Sequence, residues 1–344
     1  MIQHALINPK YSDVIEDGDN EFIESEQDDG RCIKQSYTVA ADKVGQRLDK
    51  VAASVFTEFS RAILQGFISE GELTVNGKAA KPKQALKLAD VLLLQTMLTP
   101  HDDAQPENIP LAVVYEDDSV LVIDKPAGLV VHPGAGNATG TLVNALLYHY
   151  PNQAHLPRAG LVHRIDKDTT GLLIIAKTAS AQLDLTRQLK DKSVYRHYQC
   201  VVAGNAVDIA KYRTIDAAIA RHTSQRTKMA VRAGGKVAIT HITNITALHD
   251  EFCLLDIALE TGRTHQIRVH LSHVGHGIIG DKTYPNRAKI GSLTEIQKTA
   301  VQQFSRQALH AHTLGFTHPE TGEPIKVSTP LPADMAQLVA VLAS

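Results

Sequence analysis

The sequence predicts an α+β protein: a mixed, mostly antiparallel sheet preceded by a small α+β unit. Three observations point there. Strand-length apolar runs and helical periods follow one another with no internal repeat and no regular βαβ alternation. A stretch from Thr99 to Pro110, with Pro100, Pro106 and Pro110 and no apolar period, separates a short first part from a long second one. A chain of 344 residues at 43% hydrophobic exceeds the usual single-domain size. The boundaries expected are an acidic, disordered extension over residues 1–34, a small domain over 35–97, a linker over 98–110 and a large domain over 111–344.

Residues 1–30 carry nine acidic side chains against Lys10, a balance of minus eight, so a net charge of −2 leaves plus six for the remainder. The acidic stretch is aperiodic and poor in aromatics, as a solvated tail is, although it could mimic nucleic acid. The body can attract phosphate. Residues 45–56 have helical apolar spacing, and residues 60–68 give a second helix begun by a cap at Ser60. Residues 72–78 form a strand entering the Asn76-Gly77 turn, a strong hairpin signal. The unit closes on the apolar run 90–94.

Beyond the linker, strands are expected at 112–115, 120–124, 172–176, 198–202, 239–245 and 252–259. Helices are expected at 141–150, 180–189 and 264–274. Between them lie two polar segments about a hundred residues apart, His163-Arg164-Ile165-Asp166-Lys167-Asp168-Thr169-Thr170-Gly171 and Gly262-Arg263-Thr264-His265-Gln266-Ile267-Arg268. The first reads as a strand end that sends Arg164 and Asp166 to one side and Ile165 into the core, followed by a turn at Thr169-Thr170-Gly171. A surface hairpin with an incidental ion pair would look the same. The second segment reads as a helix N-capped by Thr264, with Ile267 and Leu271 on its apolar face and Arg268 on its polar face. Burying arginine and aspartate costs several kcal/mol unless each finds a partner, so the pattern suits an active site better than a core.

His-Arg-Ile-Asp-x-x-Thr-Thr-Gly, then Arg196-His197-Tyr198, then Gly-Arg-Thr-His-Gln-Ile-Arg, resembles the three-motif signature of the RluA-type pseudouridine synthases. Residues 124–133 resemble that family's opening strand and turn, and Arg306 to Ala311 its closing motif. The resemblance implies the pseudouridine synthase fold for residues 111–344. It makes Asp166 the catalytic aspartate, Arg164 its motif neighbour, Tyr198 the ring against the target base and Arg268 the cation paired with Asp166. Arg-Leu-Asp at 47–49, Ser60-Arg61 and Val75-Asn76-Gly77-Lys78 resemble an S4 RNA-binding module, in which Arg47, Arg61 and Lys78 would contact phosphate without reading sequence. The implied substrate is uridine in 23S rRNA of the large ribosomal subunit, at the hairpin called helix 69, during ribosome biogenesis. Another 23S site or tRNA remains open.

The implied chemistry breaks the bond from ribose C1′ to uracil N1, turns the base and joins C5 to C1′. No cofactor is called for. A carboxylate could attack C1′, attack the ring or take the 2′ proton, and the residues do not choose among these. The base must leave its stack to react, and a tyrosine ring is a suitable platform. The loop residues Arg221, Arg226, Lys228 and Arg232, with Arg263, are candidate RNA contacts. A binding protein without catalysis would use the same loop.

Cys32, Cys200 and Cys253 form no CxxC pair and argue against a disulfide framework or a cysteine metal site. His270, His273 and His276 recur every three residues, which could suit a metal-dependent hydrolase, but no acid lies between them and no HExxH pattern appears. No metal site is expected. With no apolar run of membrane-span length, the expectation is a cytoplasmic monomer that binds RNA.

Overall fold

The computed structural model describes residues 26–27, 30–56, 59, 61–98, 104–134, 137–225, 228–284, 286 and 288–344. Most of the expected acidic extension, the Ser60 cap, residues 99–103 of the expected linker and Arg226 lie outside the described residues. The chain divides into two compact units between Pro100 and His101.

The first unit is a four-stranded antiparallel sheet with two helices. Its elements are β1 (Glu26–Gln27), β2 (Gly30–Thr38), α1 (Leu48–Val55), α2 (Arg61–Glu70), β3 (Leu73–Val75) and β4 (Val91–Leu98), in the spatial order β1-β2-β4-β3. Leu48, Val51 and Ala52 on α1 and Leu64 and Ile68 on α2 are buried at three- and four-residue spacing, against Leu92 and Leu94 alternating on β4. Each such leucine, isoleucine or valine contributes about 1.5–3 kcal/mol through burial. Leu48 and Asp49, whose N–H groups have no partner within the first turn of α1, donate to Gln84 O and Pro82 O at 2.8 and 3.0 Å. Asn76 and Gly77 both take positive φ, as a type I′ turn requires, and Asn76 Oδ1 accepts the Val91 N–H at 2.8 Å.

The second unit is built on a nine-stranded sheet. In chain order its elements are β5 (Val113–Glu116), β6 (Val120–Lys125), α3 (Leu142–His149), β7 (Thr170–Ala176), α4 (Ala179–Lys190), β8 (Tyr195–Ala203), α5 (Ala206–Ile209) and β9 (Thr214–Asp216). Then come β10 (Ile219–Arg221), β11 (Met229–Val231), β12 (Ile239–His249), β13 (Phe252–Leu259), α6 (Gln266–His273), α7 (Glu295–Gln303), β14 (Leu309–Thr317), β15 (Pro324–Ser328) and α8 (Ala333–Leu342). The order is β5-β6-β7-β14-β8-β13-β12-β9, with β15 on β14, while β10 and β11 form a separate hairpin. Among the described strands of this sheet, only β7 and β14 pair in parallel. The fold is therefore α+β with a mixed, mostly antiparallel sheet.

Both faces of the sheet centre are covered. Leu173 and Ile175 of β7 join a core beneath α3, whereas Leu172 and Ile174 join a second one with Ala181 and Leu185 of α4. Thr141 and Thr178 cap α3 and α4 with their side chains. No helix among the described residues is long and apolar enough to cross a membrane.

Several expectations are corrected. Gly30 to Lys34, placed in the extension, belong to β2. Residues 104–110, placed in the linker, lie against the large unit: Glu107 N–H donates to Asn144 O at 2.9 Å, and Asn144 Nδ2 to Gln105 O at 2.7 Å. The segment before β7 is extended but unpaired apart from Leu161, and the chain turns at Lys167-Asp168 instead of at Thr169-Thr170-Gly171. Thr170 and Gly171 are the first residues of β7. Gly171 has φ +110°, and a Cβ there would collide with the backbone of Ala311 on β14, so the glycine serves the parallel strand pairing.

Candidate active site

Asp166 sits on the loop that leads into β7, on the wall of a cavity of about 890 Å³. That loop is pinned from below. The fully buried Lys125, last residue of β6, donates from Nζ to the carbonyls of Lys167 (2.7 Å), Pro126 (2.8 Å) and Leu129 (2.9 Å). Burial, only partly offset by Asp168 and Asp166, brings the Lys125 ammonium down to about 7. His163 accepts the Ile174 N–H at 3.1 Å and thereby ties the same loop to β7. Burial, helped by Arg196, takes this imidazole down to about 3 and keeps it neutral. Ile165 is buried in the core, as its place between Arg164 and Asp166 predicts.

The opposite wall comes from α6. Its first turn carries Arg268, which donates from Nη1 to Asp166 Oδ2 at 2.8 Å. The rest of the guanidinium is held by Asp281, with Nε to Oδ2 at 2.7 Å and Nη2 to Oδ1 at 2.9 Å. Asp281 is in turn fixed by the N–H groups of Thr283 and Tyr284 at 2.8 and 3.0 Å. The Tyr284 ring lies 5.1 Å from the guanidinium carbon, within cation–π range. Burial opposes the charge on Arg268, but Asp281 and Asp166 prevail and raise its pKa above the ordinary arginine value. The arginine is a rigid, permanently charged fork with one prong on Asp166.

His265, not Thr264, occupies the N-cap of α6, and it does so in the left-handed region (φ +57°) without capping through its side chain. Its ring reaches the cavity instead. Nδ1 lies 2.8 Å from Tyr284 Oη, which also accepts the Met229 N–H at 2.8 Å, and Nε2 lies 3.9 Å from Asp166 Oδ1. Asp166 thus has one oxygen gripped by Arg268 and another facing His265 and the cavity. Burial, opposed by Asp166, lowers the His265 pKa.

Tyr198 lines the same cavity from β8 and is 7% exposed, and burial pushes its phenol up. Arg164 is exposed at the cavity edge and makes no hydrogen bond or ion pair among the described residues. Asp166, Arg268, Tyr198 and Arg164 are therefore brought together. Arg263, also at the cavity, donates from Nε to Val237 O at 3.0 Å. Arg221 and Lys228 flank the β10–β11 turn, and Arg232 just past β11 donates to Arg221 O at 3.4 Å. Arg226 lies outside the described residues.

In the small unit two of the candidate phosphate contacts are held by one acid. Arg47 and Arg61, assigned to phosphate, both donate to Asp49, at 2.7 and 2.9 Å from their Nη2 atoms. Lys78 is exposed beside its turn.

Asp281, His265, Tyr284, Lys125 and Arg196 were not among the residues the sequence singled out as site residues. His270 is committed elsewhere: its ring nitrogens lie 2.9 Å from Thr240 Oγ1 and from Ala217 O. No group of metal-ligating side chains occurs among the described residues.

The fold and this carboxylate–arginine pair fit a base-isomerising RNA enzyme. Residues 119–273 match the family model described as RNA pseudouridylate synthase, and residues 46–92 match that of the S4 domain. The chain belongs to the RNA pseudouridylate synthase family. Among its relatives, the ribosomal large subunit pseudouridine synthase D of Xanthomonas campestris is 48% identical over 302 residues, covering 87% of this chain and 89% of that one. The protein of the same name from Pseudomonas aeruginosa is 46% identical over 90% of this chain and 96% of its own. That from Vibrio cholerae is 43% identical over 90% and 95%. The human RNA pseudouridylate synthase domain containing 4 shares the fold, with a TM-score of 0.53 at 21% identity over 67% of this chain and 92% of its own. The chain is a pseudouridine synthase, with RNA as its substrate.

Proposed function

We propose that this protein isomerises uridines of 23S rRNA in the large ribosomal subunit, at the helix 69 hairpin, with Asp166 as the catalytic carboxylate. One observation carries the assignment of Asp166: it is the acid at the cavity wall whose one oxygen is fixed by Arg268 while the other faces open space. A carboxylate oriented in this way can attack C1′, attack the ring or take the 2′ proton, and the three routes share its placement. Tyr198 provides a face for the flipped uracil, and Arg164 reaches the RNA from the cavity edge. The large-subunit substrate is supported by the names of relatives aligned over nearly the whole chain. The protein is proposed to act as a monomer in the cytoplasm. The S4-like unit and the β10–β11 turn would supply phosphate contacts, Lys78 among them.

The test is tritium release from C5-labelled uridine in three transcripts: the large-subunit hairpin, the same sequence annealed to its complement, and a tRNA stem-loop. Expected is release from the hairpin alone, abolished by Asp166→Asn in a protein that still binds it. Release from the tRNA alone would move the substrate class, and full turnover by Asp166→Asn would overturn the role of the carboxylate.

A further inference from the structure

Arg196 lies on β8 two residues before Tyr198, so the two side chains leave the strand on one face, about 7 Å apart along it. It is 8% exposed, its Nε is wholly out of solvent without a hydrogen-bond partner, and its guanidinium makes no hydrogen bond or ion pair among the described residues. This is an unusual state for an arginine. A buried cation costs several kcal/mol unless paired, and none of its five N–H donors meets a protein acceptor among the described residues. The neighbouring side chains supply no negative charge: His163 is kept neutral partly by the Arg196 charge and its Nε2 already accepts the Ile174 N–H, and Tyr198 holds its proton. Arg196 lines the cavity that contains Asp166. Gly262, opposite, leaves space for the guanidinium, since a Cβ there would come within 2.7 Å of Nη1. The arrangement is a preformed seat for an anion.

We infer that Arg196 receives a phosphodiester group flanking the target uridine and so holds the flipped nucleotide by its backbone while Tyr198 faces its base. RNA offers phosphodiesters as its anions, and a residue two positions along one strand from a base platform is separated from it by a span comparable to that from a base across its ribose to a phosphate. A planar guanidinium can take two phosphate oxygens at once, and in a site out of water such a pair is strong. Arg196 is in this sense a positioning residue. The inference rests on the reading that this cavity receives the target uridine.

The experiment is a cycle of protein and RNA changes. Bind wild type and Arg196→Met to the large-subunit hairpin carrying a neutral methylphosphonate on the 5′ or the 3′ side of the target uridine, and to the unmodified hairpin. Wild type should lose roughly ten- to a hundredfold in affinity for one of the two modified RNAs, and Arg196→Met should be indifferent to the same change. The thermal midpoint of RNA-free Arg196→Met should rise, since an unpaired buried cation has been removed. Arg196→Lys should bind more tightly than Arg196→Met. Equal sensitivity of wild type and Arg196→Met to both methylphosphonates would overturn the inference, as would a lowered midpoint for Arg196→Met. If wild type neither binds nor converts the unmodified hairpin, it is the substrate assignment that has failed.

Discussion

The tripeptide Arg-x-Asp occurs once in each unit, as Arg47-Leu48-Asp49 and as Arg164-Ile165-Asp166, and the two copies come to opposite ends. In the small unit the Asp49 side chain is fully buried and saturated. Arg47 donates two hydrogen bonds, Arg61 two and Gln65 one, and the two arginines remain 44% and 49% exposed. In the large unit Arg164 leaves its neighbour. Asp166 is 16% exposed, and its cation is Arg268, itself 6% exposed and anchored by the fully buried Asp281.

The difference is one of which partner is buried. Around Asp49 the acid is inside and the cations are outside, so the acid organises a basic surface and has no oxygen left for chemistry. Around Asp166 the cation is inside and doubly held, which leaves a single prong for Asp166 and one oxygen turned to the cavity. A local sequence of three residues cannot decide between these outcomes. The decision is made by Gln65 and Arg61 in one case and by Arg268 and Asp281 in the other, all distant in the chain.

This contrast can be broken in several places. Arg268→Lys keeps a charge but cannot hold Asp166 and Asp281 together, so kcat on the hairpin should fall by about a hundredfold or more while RNA affinity changes little. Wild-type turnover would show that the fork is dispensable. Asp281→Asn leaves the arginine in place with a weaker anchor, and a loss of about tenfold in kcat is expected, together with about 1–3 kcal/mol of stability in urea unfolding. An effect on stability alone would separate Asp281 from the reaction.

Asp49→Asn should cost about 1–3 kcal/mol in stability of the small unit and weaken RNA binding through disordered Arg47 and Arg61, with kcat at saturating RNA near wild type. The pH dependence sharpens the same point. Burial pushes the Asp49 carboxyl up, but hydrogen bonds from Arg47, Gln65 and Arg61 prevail and hold it well below the carboxylate range. A depressed native pKa contributes stability that is complete above the unfolded value of about 4 and is lost as pH falls below it toward the native value. Unfolding followed from pH 6 down to 2 should therefore steepen below about pH 4 in wild type, and less so in Asp49→Asn.

Where the signal was local, the sequence was legible. The Asn76-Gly77 turn, β13, the burial of Ile165 and the arrival of Asp166, Tyr198 and Arg268 in one cavity all follow from period, turn chemistry and motif resemblance. Asp281 was not legible, because it lies in an aperiodic stretch thirteen residues beyond Arg268, and only its backbone-bonded turn with Thr283 and Tyr284 marks it. Arg196 did carry a signal: on β8 it shares the buried alternate positions with Tyr198 and Cys200. The turn misplaced at Gly171 reflects a non-local cause, since the need for glycine comes from β14, some 140 positions later. The N-cap misplaced at Thr264 has a similar origin, because His265 is held in the left-handed region where its ring meets Tyr284 and Asp166.

The most direct measurement compares the two acids under one assay. Asparagine is placed at 49 and at 166 in separate full-length chains, and tritium release from C5-labelled uridine in the large-subunit hairpin is followed at saturating RNA, beside thermal unfolding. Asp166→Asn should lower turnover on the order of 10⁴-fold with an unchanged unfolding midpoint, and Asp49→Asn should lower the midpoint with turnover within a few-fold of wild type. Turnover near wild type from a well-folded Asp166→Asn protein, or a loss of catalysis in Asp49→Asn as deep as in Asp166→Asn, would contradict the assignment of chemistry to one Arg-x-Asp and of structure to the other.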